Sequence, residues 1–417
     1  MVNVARELKS HLSDDLLELI TEAGKLAAAK KHNLYLVGGV VRDIFLGRPV
    51  TDADLVLEGD APSLARELGI LRKGKVVVHS RFGTATVKQD NINIDIVTAR
   101  SETYSRPGAL PSVKPGTVDD DLFRRDFTIN AMAICILPEC FGELIDPHGG
   151  GDDLDRHIIR VLHEKSFRDD PTRIWRAVRY EQRLDFILDE HTEELLRRDL
   201  DMIYRVSGDR LRHEIERILE EQRPEKVLHR AHELGALQRL SPSLRGDDWL
   251  IERCKAARSM NPSSGSSSII YLALSAWLLT KEETENFIHM MRFSGEQARV
   301  LRDTFDLKQN LQLLEARELL PSQIYSILEP YHVQSIKAAA IATDSTAVKQ
   351  HLNRYLSELI YITSSLNGND LKRLGIKQGK KMGEILRSLK AARLDGKVTT
   401  REEEEVLVKR WLGEGDS

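Results

Sequence analysis

The sequence predicts an α+β protein, with a mixed sheet-and-helix head followed by a long all-α remainder. Its 417 residues are too many for one hydrophobic core, so several domains are expected. Short apolar, β-branched runs separated by turns occupy about the first 160 residues, whereas helical periodicity dominates the rest. The composition, 30% charged and 41% hydrophobic residues, is that of a well-packed globular protein.

Composition also excludes several classes of protein. No run approaches the roughly 20 apolar residues that span a bilayer, so no membrane partner is expected. The N-terminus carries acidic residues at helical spacing and does not resemble a signal peptide. The three cysteines, Cys135, Cys140 and Cys254, contain no CxxC pair, so we expect no disulfide, no zinc site and a cytoplasmic location. No pattern indicates an oligomeric state.

The elements of the head follow from apolar spacing. An amphipathic helix is predicted over 3–31, and a second helix over 61–68 lies between two strands. In INIDIVTA the three isoleucines face one side of a strand, and Asn93, Asp95 and Val97 face the other. The predicted strands are Leu34–Val37, Asp54–Leu57, Lys75–His79, Thr84–Lys88, Asn91–Val97 and Ala131–Ile136.

Two polar segments interrupt the helical remainder. The stretch NPSSGSSS (261–268) is typical of a loop or linker, and SLNGNDLKRLGIKQG (365–379) of a turn that leads into a short helix pair. The remainder is therefore expected to consist of small helical modules.

The segment LYLVGGVVRDIFLGRPVTDADLVLEGD crowds polar residues into one strand–turn–helix–strand unit. Backbone N–H groups at Gly38 and Gly39 can approach a phosphate closely, and Arg42 adds a forked cation. Asp52 and Asp54 lie two residues apart on a strand, so they project from one face and suit Mg²⁺. Each feature alone is typical of an ordinary turn, but together they indicate a phosphate and metal site.

A third carboxylate, Asp95, lies on a strand that can neighbour the DxD strand. In two-metal nucleotidyl transfer such an acid completes the metal shell or receives the proton of the attacking hydroxyl. The alternative is a strand aspartate that is exposed or that only supports the metal-binding residues.

Two further segments carry clustered cations. In DLFRRDFTINAMAI, Arg124 and Arg125 suit a triphosphate with Asp126 orienting one guanidinium, and Asn130 suits a ribose hydroxyl. A helix N-terminus with a surface salt bridge explains the same residues. In FRDDPTRIWRAVRYEQR one half of a helix carries charged side chains, which either form a solvated stripe or contact phosphates. These are Asp170, Arg173, Arg176, Arg179 and Arg183.

Five motifs, GGVVRD, DAD, RRDFTINAMA, DPHGG and DDPTRIWRAVRY, occur in the order and spacing of a known family. The sequence resembles the bacterial-type (class II) branch of the tRNA nucleotidyltransferase/poly(A) polymerase family from residue 34 to about 219. The resemblance implies a polymerase-β-like nucleotidyltransferase head at 1–160, then a helical neck at 161–222, a body at 223–320 and a tail at 321–417. It also implies Mg²⁺-dependent addition of C and/or A from CTP and ATP to the 3′ end of tRNA.

The same resemblance implies roles for individual residues. Asp52 and Asp54 would hold metal. The role of Asp95 as a further catalytic acid is predicted from its strand position and not from the resemblance. The family usually has Glu-Asp where this chain has Asp169 and Asp170, so the orienting role of the first acid stays open. The resemblance implies nucleotide binding by Gly39, Arg42, Arg125, Asp170, Arg173, Arg176 and Arg179. The chemistry of their own segments adds Gly38 and Asn130 to this predicted site.

Base choice has its own physical logic. Cytosine and adenine each present an amino donor beside a ring acceptor. A carboxylate at Asp170 and a guanidinium at Arg173 match both bases, whereas guanine and uracil present the reverse pattern. Because mismatched buried polar groups stay unpaired, discrimination can reach ~10⁴. We therefore expect Asp170→Ala to lose discrimination against UTP and GTP in a four-nucleotide incorporation assay.

Complete CCA addition, CC-only addition, A-only addition and polyadenylation share these motifs. Bacterial poly(A) polymerases usually carry an RRFxLxHV-like strand where this chain has VHSRFGTATV (78–87), which resembles the tRNA enzymes instead. The segment 98–122 is loop-like and occupies the place of a family loop that helps to switch between C and A addition. A non-catalytic RNA-binding protein on the same scaffold is the alternative from another class. The intact DxD, RRD and DDxxR motifs argue against it, and the long helical half disfavours modification of a small molecule.

A basic turn near the C-terminus indicates an RNA contact. Lys377, Lys380 and Lys381 surround Gly375 and Gly379. Backbone amides flanked by lysines can hold RNA phosphates without reading sequence. The expected partner is the 3′ end and acceptor arm of tRNA, and the alternative is a solvated basic turn.

Overall fold

The computed structural model describes residues 2–79, 83–89, 92–260, 267–293 and 295–413. The chain divides into two compact units, and the first comprises Met1–Glu214 together with Leu234–Arg239. The second comprises Ile215–Glu233 and Leu240–Ser417. Most of the predicted loop at 261–268 lies outside the described residues.

The strands all belong to the first unit. They are short, and the longest carry the alternating pattern of buried and exposed residues that predicted them. They are β1 (Leu34–Val37), β2 (Asp52–Leu57), β3 (Lys75–His79), β4 (Thr84–Gln89), β5 (Ile92–Thr98), β6 (Arg100–Thr103), β7 (Ser112–Pro115), β8 (Ala133–Cys135), β9 (Leu144–Ile145), β10 (Ile158–Ile159) and β11 (Ile187–Leu188).

Helices surround these strands and fill the rest of the first unit. They begin before β1 and dominate the chain after β9. They are α1 (Ala5–His11), α2 (Asp14–Ala29), α3 (Gly39–Phe45), α4 (Ala61–Arg72), α5 (Val118–Phe123), α6 (Gly150–Asp155), α7 (Ser166–Asp169), α8 (Thr172–Leu184), α9 (Glu190–Arg198) and the first half of α10 (Gly208–Leu219), whose second half belongs to the second unit.

A seven-stranded sheet in the order β3-β4-β5-β2-β1-β8-β9 forms the centre of the head. Strands β2 and β5 pair in parallel, and the other neighbours are antiparallel. The inward residues Leu55, Leu57, Ile94 and Ile96 are fully buried. Because side chains alternate along each strand, the residues between them face the opposite side of the sheet. The predicted α+β class and the orientation of the isoleucines are confirmed.

The predicted N-terminal helix over 3–31 is divided into α1 and α2. The Ser13 hydroxyl accepts a hydrogen bond of 3.3 Å from the backbone N–H of Leu16 and so caps α2. Serine at this position, followed by Asp14 and Asp15, favours a new helix start. Apolar periodicity continues across the break, so it did not indicate the division.

The segment 98–122 is more ordered than its composition predicted. Strands β6 and β7 form an antiparallel hairpin, and α5 follows at once. Thr117 and Asp120 form a capping box: the Asp120 N–H donates to the Thr117 hydroxyl at 3.3 Å, and the Thr117 N–H donates to the Asp120 carboxylate at 2.9 Å. The loop-like residues are therefore confined to the hairpin tip, 104–111.

The second unit is helical, as predicted. Near its C-terminus, buried apolar residues including Leu371, Leu389 and Val408 form a separate small core. One further helix, α12 (Leu237–Leu240), lies mostly in the first unit. The helices of the second unit are α11 (Pro224–Glu233), α13 (Asp248–Met260), α14 (Ser267–Ser275), α15 (Lys281–Met291), α16 (Gly295–Asn310), α17 (Pro321–Leu328), α18 (Val333–Ala342), α19 (Thr346–Ser357), α20 (Gly368–Arg373), α21 (Lys380–Leu394) and α22 (Arg401–Gly413).

Cys135 and Cys140 form a disulfide, so the expectation of unpaired thiols was wrong. Cys135 ends β8, and the turn after it closes through a hydrogen bond of 2.9 Å from the Gly142 N–H to the Cys135 carbonyl. The turn brings the two Cα atoms to 5.8 Å, within the range that a disulfide bridges. The spacing of the cysteines alone did not reveal this turn. Cys254 is buried and unpaired.

Within the described ranges, no helix is both long and apolar enough to cross a membrane.

Candidate active site

Three aspartates share one face of the central sheet. Asp54 on β2 lies directly opposite Asp95 on β5, and Asp52 lies two residues before Asp54. The predicted proximity of Asp95 to the DxD pair is therefore confirmed. Asn93 donates a hydrogen bond of 3.3 Å to Asp52, and the Thr86 hydroxyl donates one of 2.5 Å to Asp95.

The Asp54 carboxyl has a raised pKa. Its desolvation by surrounding protein raises its pKa, the nearby Asp95 and Asp52 carboxylates act in the same direction, and the Arg125 guanidinium opposes them. Like charges crowded in this way are stabilised by a cation.

Asp52 and Asp54 fit a hard divalent ion. Mg²⁺ prefers oxygen ligands and is usually held by one or two carboxylates together with substrate phosphates. In the described part of the chain, no group of three or more His, Cys, Asp or Glu side chains is arranged to hold a metal by itself. The donor set therefore fits an ion shared between the carboxylate pair and a bound triphosphate.

The glycine turn lies next to these carboxylates. Gly38 adopts φ +80°, a backbone conformation in which any residue with a Cβ atom is strained. Gly39 begins α3. A Cβ atom added at Gly38 would approach the Arg125 guanidinium to 2.5 Å. Glycine at 38 is thus required both by the backbone and by the close approach of Arg125.

The RRD motif is organised differently from the prediction. Asp121, which is fully buried, pairs with Arg124 at 2.6 Å and with Arg125 at 2.9 Å. The motif's own Asp126 does not orient either arginine. Its partners are Asn130, at 3.0 Å, and Arg176, whose Nε donates at 2.8 Å.

The pKa of Asp126 is depressed by these contacts. Although burial acts to raise it, the Arg176 cation and the hydrogen bond from Asn130 lower the pKa of Asp126 to about 2. Asp126 therefore stays ionised and holds Arg176 in place across the whole neutral range.

Arg42 is a buried member of the same network. Its side chain is only 4% exposed, Nη1 donates to the Asn130 oxygen at 2.7 Å, and Nε and Nη2 donate to Asp43 at 3.0 and 2.9 Å. These contacts orient the Asn130 amide, whose nitrogen faces Asp126. In this structure Arg42 thus supports other residues of the site.

Three arginine side chains pack around the ring of Tyr180. The guanidinium carbons of Arg42, Arg176 and Arg179 lie 5.2, 5.5 and 5.1 Å from its centroid. Phe127 packs edge-on against the ring at 5.9 Å. An aromatic face attracts cations, so Tyr180 reduces the cost of crowding three like charges.

The expected base-reading pair lies at the start of α8. Asp170 precedes the helix in an extended conformation, so it is not on the helix itself as the periodicity predicted. One carboxylate oxygen, Oδ1, accepts from the Arg210 guanidinium at 2.7 Å and from the Thr172 N–H and hydroxyl at 3.1 and 2.6 Å. These donors hold the carboxylate in one orientation.

Arg173 is also firmly held. It is 4% exposed, and its Nη1 and Nη2 donate to the Ser166 hydroxyl and the Arg124 carbonyl, each at 2.6 Å. Its remaining guanidinium N–H groups stay available to a ligand, since five donors serve two contacts.

A cavity of about 740 Å³ joins these groups, and we name it the main cavity. It is lined by polar residues of the head and of the helices after β9. Of the predicted site residues, its lining includes Gly39, Asp54, Arg125, Asn130, Asp170, Arg173 and Arg176. Asp52 and Asp95 flank Asp54 on the sheet, Gly38 lies beneath Arg125, and Arg42 and Arg179 lie behind the lining against Tyr180.

A second cavity of about 570 Å³ adjoins the main cavity. Glu102, Tyr104, Arg124 and Arg173 line both. Asp169 lines the second cavity, whereas Asp170 lines the main one. The two adjacent acids therefore face different spaces, and Arg210 rather than Asp169 holds Asp170.

The predicted RNA-contacting lysines lie in the second unit. Lys377, Lys380 and Lys381 are all exposed, and α21 begins at Lys380. Gly375 and Gly379 adopt φ +88° and +155° in the turn before the helix. The basic turn is thus accessible to a ligand.

Three contributors to the site were missed from the sequence. Arg210 carried no distinguishing signal, because it lies 40 residues from its partner Asp170. Tyr180 lies one turn after Arg176, a spacing that places both on one helix face and could have drawn attention to it. Asp121 precedes the arginines by one helical turn and could have been recognised as their partner.

Comparison with known proteins agrees with this geometry. The family model described as "Poly A polymerase head domain" matches residues 34–160. The model described as "Probable RNA and SrmB- binding site of polymerase A" matches residues 185–247.

Individual proteins extend the similarity to nearly the whole chain. An A-adding tRNA nucleotidyltransferase of Halalkalibacterium halodurans is 31% identical over 95% of this chain and 93% of its own length. One of Geobacter sulfurreducens is 32% identical over 96% of this chain, which spans about half of that protein, 48%. The structure of the Thermotoga maritima CCA-adding enzyme complexed with tRNA aligns with a TM-score of 0.78 and 31% identity over 99% of each chain. The chain therefore belongs to the tRNA nucleotidyltransferase/poly(A) polymerase family.

Proposed function

We propose that this protein is a template-independent nucleotidyltransferase that adds C and/or A residues from CTP and ATP to the 3′ end of tRNA, with release of pyrophosphate. The observation that carries the proposal is the main cavity. It joins the Asp54 carboxylate and the glycine turn at Gly39 to the Asp170–Arg173 pair. A cavity with metal, phosphate and base-selecting groups has what nucleotidyl transfer requires.

Residues around the cavity have distinct roles in this proposal. Arg125 and Arg176 bind the triphosphate, and Gly38 and Gly39 let backbone N–H groups approach it. Asn130 contacts the ribose. Arg42 and Arg179 act through the Tyr180 cluster, which supports Arg176.

Selection of the base is assigned to Asp170 and Arg173. With Oδ1 held by Arg210 and Thr172, the other oxygen of Asp170 accepts from the amino group of cytosine or adenine. Arg173 donates to the adjacent ring nitrogen. Guanine and uracil leave both groups unpaired.

Asp52 and Asp54 are proposed to hold Mg²⁺. When bound, the ion stabilises charge on the oxygens that attack and leave the α-phosphorus. Asp95 lies beside Asp54 and is proposed to receive the proton of the RNA 3′-hydroxyl, with Thr86 fixing its other oxygen.

The decisive experiment reads the ends of the products. Transcripts of tRNA that end before the first C, or after the second C, are incubated with CTP, ATP or both in the presence of Mg²⁺. Complete CCA addition extends both substrates, and addition limited to CC or to the terminal A extends only one. The A-adding name of two relatives makes terminal A addition the first alternative. Long A tracts would indicate poly(A) polymerase, and no release of pyrophosphate from any substrate would contradict an enzymatic function.

The basic turn around Gly379 is proposed to bind tRNA phosphates. Replacing Lys377, Lys380 and Lys381 together with alanine should weaken tRNA binding and reduce the dependence of log affinity on log salt by about 2 to 3. The matched control replaces three exposed lysines elsewhere in the second unit with the same charge change. An equal effect of both triple variants would contradict a specific contact. The control lysines are Lys255, Lys281 and Lys349.

The proposed function also suggests a role for each domain and a cellular location. We propose that the nucleotide chemistry belongs to the head and neck at 1–160 and 161–222, since the residues lining the main cavity lie between Gly39 and Glu214. The body at 223–320 and the tail at 321–417 would then carry the RNA. A tRNA substrate implies a cytoplasmic location.

A further inference from the structure

The second cavity has features that the proposed nucleotide site does not use. It lies on the other side of Glu102, Tyr104, Arg124 and Arg173, which form a wall common to both cavities. Its volume, about 570 Å³, is within the range of small-ligand sites. A ligand or polymer segment bound there would therefore be a neighbour of the nucleotide in the main cavity.

An exposed aromatic ring dominates one side of this cavity. Phe123 ends α5 and is 51% exposed. Its ring is near two imidazoles, with centroids 5.3 Å from His163 and 6.0 Å from His148. An amphipathic helix can end in an exposed phenylalanine without any role, but α5 already buries Val118 and Leu122. Contact with the two imidazoles restricts the Phe123 ring, which lowers the cost of binding a flat ligand against its exposed part.

Two polar residues of the lining complement this aromatic face. The lining also includes four carboxylates, of which Glu102 pairs with Arg124 and Asp120 caps α5; the other two are Glu164 and Asp169. His163 lines the cavity beside Phe123, and burial together with the Arg173 cation lowers its pKa, so its ring is neutral near pH 7. Lys165 is exposed and forms no salt bridge with any described residue. A neutral aromatic face with a nearby unpaired ammonium matches a nucleobase joined to a phosphate.

We infer that the second cavity binds an unpaired nucleotide of the RNA strand, upstream of its attacking 3′ end, with its base against Phe123 and His163 and its phosphate toward Lys165. This inference rests on the proposed function. The base at the growing end changes with every addition, so a contact that serves each round must tolerate any base. Stacking on an aromatic ring does so, because every base has a π-face.

The main experiment uses the full chain and tRNA that carries 2-aminopurine at each unpaired 3′ position in turn. Binding to the wild-type protein should quench the fluorescence at one position more than at the others. Phe123→Leu should abolish that difference and raise the KM for tRNA about 5- to 150-fold, with the KM for CTP and ATP unchanged. Phe123→Trp keeps a stacking surface and should restore both signals.

Controls separate this contact from a general loss of structure. Tyr204→Leu removes another exposed aromatic ring of the first unit that lies outside both cavity linings, and it should leave the KM for tRNA unchanged. If Phe123→Leu proves unstable in thermal unfolding, Lys165→Ala tests the same cavity. It should reduce the salt dependence of log tRNA affinity by about 0.7.

Several outcomes would overturn the inference. An unchanged KM for tRNA in Phe123→Leu, or an unchanged salt slope in Lys165→Ala, would show that the RNA strand does not use the cavity. A higher KM for CTP or ATP instead would assign it to the incoming nucleotide. Either result can occur with nucleotide incorporation intact, whereas failure of the proposed function would abolish incorporation in the wild-type protein.

Discussion

Replacing Arg210 with methionine should weaken base selection without abolishing catalysis. The Arg210 guanidinium donates to Oδ1 of Asp170 at 2.7 Å, and the two side chains are 27% and 21% exposed. Methionine keeps most of the side-chain volume and removes the charge. Asp170 would then keep only the two donors of Thr172, the N–H and the hydroxyl, and could rotate away from the orientation that we propose for base reading.

The size of the effect follows from this contact. Hydrogen bonds to charged groups contribute about 1.5–3 kcal/mol, and partial exposure of this pair reduces that to about 1–2 kcal/mol. Discrimination against UTP and GTP should therefore fall about 5- to 30-fold in Arg210→Met. Asp170→Ala removes the reading group itself and should cost more, up to the ~10⁴ limit of such selection.

The assay compares kcat/KM for all four nucleotides on a tRNA that lacks its terminal residue. The double variant Asp170→Ala/Arg210→Met should select no worse than Asp170→Ala alone, because Arg210 acts through Asp170. Arg197→Met is the control, since it removes a surface partner of Glu193 at 2.7 Å. Wild-type selectivity in Arg210→Met, or additive effects in the double variant, would refute the reasoning.

Three further predictions concern the phosphate side of the site. Tyr180→Leu should raise the KM for ATP about 10- to 100-fold by releasing the cations around the ring, whereas Tyr180→Phe should stay close to wild type. An equal KM for ATP in the two variants would exclude a role of the aromatic ring in holding these arginines. Gly38→Ala should raise the KM for ATP at least ~10-fold by displacing Arg125. The control Gly149→Ala, at φ +69° with open space around it, should cost only about 1 kcal/mol of stability. The same KM for ATP in both variants would contradict this prediction. Asp126 has a pKa of about 2, below its ordinary value, so it stabilises the fold above about pH 4 and loses that contribution as the pH falls toward 2. Urea unfolding should therefore show about 2 kcal/mol less acid dependence in Asp126→Asn, and an unchanged acid limb would oppose this account.

Local patterns predicted much of the fold. The bounds of β1 and β3 agree with the predicted strands, and the alternation in β5 correctly oriented Asp95, because each depends on neighbouring residues. The division of α1 from α2 was missed, since a cap at Ser13 interrupts the backbone without changing the apolar spacing.

Long-range pairings could not be predicted in the same way. Asp126 contacts Arg176 across 50 residues, although Arg124 and Arg125 adjoin it in sequence. No periodicity relates positions so far apart, because the path of the chain between them determines which charged side chains form a pair. The disulfide between Cys135 and Cys140 spans only five residues, and it was missed because it depends on the conformation of the turn between them.

The fixed positions of Asp170 and Arg173 limit how many bases the site can distinguish. A donor and an acceptor in set positions make a single binary distinction, which in the role proposed for this pair separates cytosine and adenine from guanine and uracil. Ordering C before A requires a second binary distinction, and a pair with this hydrogen-bond pattern does not contain it. An enzyme of this kind that adds both C and A must therefore choose between them by something that changes from one addition to the next, such as the length of the RNA 3′ end.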